Sequence, residues 1–126
     1  MLQRGSMSGV KVRFLHREEI LTRVVSLAQK LLTSKADVLE VNLFGSLAKG
    51  NHAPGSDADI FILLKADSRR FLDRIPEFLD HFSKIGLPVE VFPYTQEEIA
   101  KMQDRGFIKR MLKEKVVLAS RSNPIG

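Results

Sequence analysis

"FGSLAKGNHAPGSDADIFILLK", Phe44 to Lys65, places two Gly-Ser pairs and two aspartates, Asp57 and Asp59, directly ahead of an apolar run. The run Ile60 to Leu64 has no polar alternation, which predicts a central strand covered on both faces. Side chains two apart on a strand share a face, so Asp57 and Asp59 project together, about 6–7 Å apart. Like charges held beside an apolar strand repel, and one carboxylate is driven towards protonation unless a cation joins them. Oxygen donors at this spacing suit Mg²⁺, which uses few protein carboxylates and keeps positions for water or phosphate. Alone, the aspartates would better suit an Asx-type turn capping a strand, with both carboxylates solvated.

The other end of the stretch decides between the two readings. Gly45, at the end of a strand, allows a tight turn and a close approach to a ligand. Ser46 can cap a short helical turn running to Gly50, whose free N–H groups favour an anion. Lys49, one turn along, can reach a triphosphate as a point charge. One end therefore offers a phosphate cradle and the other a metal pair. His52, on the loop between them, reads as a surface histidine.

Outward from the stretch, "VLEVNLF" (Val38–Phe44) alternates and reads as a strand, with Glu40 and Asn42 on one parity. Glu18 to Leu32 carries a helical stripe of Ile20, Val24, Leu27 and Leu31. Ser68 can cap a helix bearing Phe71, Leu72, Ile75, Phe78, Leu79 and Phe82. Pro76 should split it into two pieces ending at Gly86. "LPVEVF" (Leu87–Phe92) reads as a strand in which Val89 and Val91 face one way and Glu90 the other, offering a third carboxylate. "TQEE" (Thr95–Glu98) is a capping box opening a helix through Met102. "DRGFIKRMLKE" reads as a helix with Phe107, Ile108, Met111 and Leu112 inward, and "KVVLA" as a short closing strand. These elements make a small α/β (α+β) domain with a mixed sheet and helices packed on it.

The 126 residues suit one domain, here bounded at 13–120 between a flexible leader (1–12) and a tail (121–126). No apolar run approaches the roughly 20 residues needed to cross a bilayer. No secretory signal is visible, and the absence of cysteine makes a cytoplasmic location the expectation. Three scattered histidines show no zinc spacing. The net charge of +5 is uneven, with basic ends framing an acidic centre that holds the quoted stretch. Without a dense Lys/Arg run or interleaved aromatics, nucleic-acid binding is not the favoured role. Lys109, Arg110, Lys113 and Lys115 read as a solvated helix face.

Gly45-Ser46, ten residues, then Asp57-Ala58-Asp59 and an apolar strand resembles the signature of the DNA polymerase beta-like nucleotidyltransferase superfamily. The short chain is similar to its minimal nucleotidyltransferase branch, many of whose members are antitoxins paired with a HEPN-domain toxin. The resemblance implies that Gly45 and Ser46 bind a nucleoside triphosphate and that Asp57 and Asp59 bind Mg²⁺, two ions in all. It makes Glu90 the third carboxylate, as metal ligand or general base. It implies transfer of a nucleoside monophosphate, AMP from ATP, to an acceptor hydroxyl on a helical partner or a second copy. Lys49 stands where many relatives have arginine, and Glu90 where the wider superfamily often has aspartate. The alternatives are a non-catalytic module that neutralises a toxin by contact, and transfer to a small molecule or RNA.

Overall fold

The computed structural model describes residues 2–50 and 57–121, with side chains described from residue 17 onward within those ranges. The chain runs α1 (Leu2–Ser34), β1 (Val38–Phe44), α2 (Ser46–Lys49), β2 (Ala58–Leu64), α3 (Phe71–His81), β3 (Val89–Thr95), α4 (Gln96–Met102), α5 (Gly106–Glu114) and β4 (Val116–Ser120). The four strands form one mixed sheet in the order β3-β2-β1-β4. The β1 strand pairs antiparallel with β2 and β4, and β2 pairs parallel with β3. Thus β2 lies inside the sheet, and Ala58, Ile60, Phe61, Ile62 and Leu64 are all buried. Its unbroken apolar run follows from cover on both faces.

Alternation sorts each strand between two cores. On one face, Val41 and Leu43 of β1, Ile60 and Ile62 of β2 and Val91 of β3 meet Ile20, Val24, Ala28 and Leu31 of α1. Phe78 of α3, with Phe82 and Ile85 just beyond it, completes that core. On the other face, Phe44 and Phe61 meet Ile108 and Met111 of α5, with Phe92, Tyr94, Ile99 and Met102 packed beside them. The second core is smaller, and the carboxylates singled out above share its parity.

Several expectations need correction. Helix α1 is longer than the amphipathic stripe, starting at Leu2 and so continuing through the stretch read as a leader. Pro76 does not split α3, which is one helix with Arg70, not Ser68, at its N-cap, and which ends at His81 rather than Gly86. Proline costs an interior helix the hydrogen bond to the residue four back. Here that is Leu72, in the exposed first turn, while the buried Arg74 and Phe78 anchor the helix on either side of Pro76. The β3 strand also runs three residues past Phe92, to Thr95, because its whole length pairs with β2. The Thr95 capping box is present as read: the Glu98 N–H donates to Thr95 Oγ1 (3.2 Å) and the Thr95 N–H to Glu98 Oε1 (2.9 Å).

Arg74 is a structural residue that pattern reading passed over. It is 2 % exposed, yet it donates to the carbonyls of Pro93 (2.9 Å) and Arg69 (2.8 Å) and to both Glu98 oxygens (2.7 and 2.9 Å). A buried guanidinium is tolerated only when its donors are satisfied in this way. It ties α3 to the start of α4, and its contacts hold the Glu98 carboxyl below its ordinary range.

Candidate active site

A single row of residues crosses three strands at one edge of the sheet. Phe44, the last residue of β1, is the register partner of Asp59 on β2, and Asp59 is the partner of Glu90 on β3. The parity of the strands turns all three towards the second core. The next row inward, Asn42, Phe61 and Phe92, puts aromatic rings beneath the carboxylates. This explains the electrostatics of Asp59. Burial over that apolar floor pushes its carboxyl up to about 6, helped by the negative charge of Glu90, a side-chain hydrogen bond with Glu90, and the charge of Asp57. The negative charges of Glu90 and Asp57 beside it thus make Asp59 harder to ionise.

Gly45 follows Phe44 with φ +81°, a left-handed conformation that favours glycine. A Cβ at this position would collide with Oδ2 of Asp59. The turn therefore needs glycine twice over, for its dihedral and for its contact with the carboxylate. Gly45, not Ser46, is the N-cap of α2, and no side chain caps it. Ser46 is the first helical residue instead, and its hydroxyl is not engaged as a cap. Gly50 closes α2 in the left-handed conformation, with its N–H bonded to the Leu47 carbonyl. From behind, Arg17 donates to that same carbonyl (2.9 Å).

A cavity of about 320 Å³ opens beside this turn. Its walls are Phe44, Gly45, Ser46 and Lys49 on one side and Phe107, Arg110, Met111 and Glu114 of α5 on the other. Lys49 pairs with Glu114 across it (3.3 Å). Phe107, expected inward, is 48 % exposed and forms an aromatic corner with Phe44 (5.9 Å) and Phe92 (5.4 Å) instead. Arg110, read as part of a solvated helix face, joins the site, and so does Glu114, which no motif singled out. Only the approach of α5 to residues 45–49, distant in sequence, could have revealed them.

The structure thus brings Gly45, Ser46 and Lys49 to one cavity and Asp59 and Glu90 into contact beside it, with Asp57 near enough to repel Asp59. Among the described residues, no three acidic or histidine side chains converge at metal-ligating distances in this conformation. The donor set nonetheless fits a hard cation: it is all carboxylate oxygen, and a cation would offset the repulsion that raises Asp59. His52 lies outside the described residues.

The family model described as a nucleotidyltransferase domain matches residues 17–118. This chain belongs to that family. The nucleotidyltransferase fold is also found in solved structures. A candidate nucleotidyltransferase from Sulfolobus solfataricus superposes with a TM-score of 0.59 at 22% identity, covering 86% of each chain. A toxin-antitoxin structure with AMP-PNP superposes with a TM-score of 0.51 at 15% identity, covering 81% of this chain and 74% of that one. At these identities the likeness is one of fold. No curated protein matches the chain. Among the described residues, no helix is long and apolar enough to cross a membrane.

Proposed function

We propose that this chain transfers a nucleoside monophosphate, AMP from ATP, to an acceptor hydroxyl with release of pyrophosphate. The observation that carries the reading is the Phe44–Asp59–Glu90 row with Gly45 packed against Asp59. It puts a tight glycine turn and a carboxylate pair side by side at one sheet edge, within a chain of the nucleotidyltransferase family.

In this reading the Gly45–Ser46 turn holds the β- and γ-phosphates, with the Ser46 hydroxyl as a donor and Lys49 as a counter-charge. Asp57, Asp59 and Glu90 would hold Mg²⁺, which when bound neutralises phosphate charge and lowers the barrier to attack. The side chains have their own tasks. Asp59, kept close to neutral pH by its apolar floor, holds or releases its proton near physiological pH. Glu90, exposed on the edge strand β3, faces solvent where an acceptor would arrive, and takes the proton from the attacking hydroxyl. The aromatic corner of Phe44, Phe92 and Phe107 keeps water from one side of the site.

We propose that the acceptor is on a partner, a HEPN-type helical protein silenced by adenylylation of a tyrosine; the toxin-antitoxin neighbour supports a protein partner. The test is to incubate a lysate of the native host with the protein, Mg²⁺ and ATP labelled at either the α- or the γ-phosphate. Label retained from the α-position alone, in a protein band whose labelled peptide contains tyrosine, is the expected result. Label from the γ-position would make the chain a kinase. Label only in RNA or small molecules would remove the protein acceptor.

A further inference from the structure

Helix α5 was not part of the signature that pointed to the site, yet it supplies the far wall of the cavity. Two of its residues carry charge there, one helical turn apart: Arg110 and Glu114. Glu114 occupies an unfavourable place, since a carboxylate on the last residue of a helix meets the partial negative charge of that terminus. What holds it is Lys49, 3.3 Å away across the cavity. Arg110, among the described residues, has no carboxylate partner. Among the described residues the cavity thus has two cations, one with no carboxylate partner and one occupied by an internal anion.

We propose that Glu114 is a charge gate on this pocket and Arg110 its second phosphate-binding cation. The inference rests on the nucleotide reading above and adds α5 to it. Glu114 holds Lys49 across the cavity until the terminal phosphates of a nucleoside triphosphate displace it. Lys49 can make the exchange because its ammonium is a point charge on a flexible stem, half exposed in its present pairing. A polyphosphate offers several negative charges against one carboxylate, whereas a monophosphate seated at the other end of the site offers none to Lys49. The gate therefore favours triphosphate over monophosphate.

Calorimetric titration with Mg²⁺–AMP-PNP, and separately with AMP, tests this. Glu114→Gln should bind AMP-PNP about two- to fivefold tighter, the range an exposed ion pair is worth, with AMP unchanged. Arg110→Ala should weaken AMP-PNP about tenfold, as loss of a charge-assisted hydrogen bond does. In a Lys49→Ala background the Glu114→Gln gain should vanish. Glu97→Gln, on α4 and outside the cavity, controls for net charge. The gate is overturned if Glu114→Gln gains nothing, gains no more than Glu97→Gln, or gains equally without Lys49. The Arg110 role is overturned by unchanged binding in Arg110→Ala. A folded wild-type protein that binds no AMP-PNP removes the nucleotide reading itself, and the gate with it.

Discussion

The carboxylate of Asp59 fills the space that a Cβ on Gly45 would need, so the turn after β1 and the acidic row on β2 are built as one object. Neither residue can change without disturbing the other. The first prediction follows directly. Gly45→Ala must adopt φ +81° and push against Asp59, and should lose about 2–3 kcal/mol of stability, the upper range for a strained backbone position. Gly50→Ala shares the dihedral but meets only ordinary contact with Arg17, and should lose about 1 kcal/mol. Urea unfolding of the two variants measures the difference; equal losses would mean that the Asp59 contact carries no weight.

Asp59 also sets a pH dependence. Its folded carboxyl is raised from 3.8 to about 6, so between those values the native state binds more protons than the unfolded chain. Stability from this group is full below pH 4 and is lost as pH rises through about 6. Asp59→Asn should therefore be more stable than wild type at pH 8, by about 1–2 kcal/mol once the shift is discounted for solvent reaching a partly buried group. At pH 4 the two should match. Thermal melts at both pH values check this.

The same proton would make the proposed Mg²⁺ binding pH-dependent. Mg²⁺ should raise the melting temperature of the wild type at pH 8, where it replaces the repulsion between Asp59 and Glu90, and much less at pH 5, where the proton already does so. Asp59→Asn should lose the Mg²⁺ effect at both. An equal Mg²⁺ effect in wild type and variant would place the ion elsewhere.

Arg74 predicts a purely structural outcome. Arg74→Met removes the guanidinium that satisfies Glu98 and the carbonyls of Pro93 and Arg69, and should cost about 3 kcal/mol or more by leaving buried acceptors unpaired. Because Arg74 lies at the join of α3 and α4, away from the cavity, the surviving folded fraction should bind AMP-PNP as wild type does.

Much of the site was legible in the sequence because its signals are local. Alternation in "VLEVNLF" and the apolar run after Asp59 marked two neighbouring strands, and parity alone put Glu90 opposite Val89 and Val91. Gly45 was legible as a close-approach glycine, although its contact is Asp59 as much as any ligand. Other features depend on chain packing. Pro76 reads as a helix breaker, but residues buried on either side of it carry α3 through. Arg110 and Glu114 look like any charged helix face until α5 is laid against residues 45–49. Arg74 looks exposed by residue type and is buried because four acceptors converge on it.

The most direct measurement is transfer of label from the α-phosphate of ATP in host lysate, comparing wild type with folded Asp59→Asn at pH 8 in Mg²⁺. The account predicts a labelled acceptor with wild type and a loss of at least about a hundredfold in the variant, on the scale of removing a group that acts at the transition state. Equal labelling by both proteins, or none by a wild type shown to be folded and to bind AMP-PNP, would contradict it.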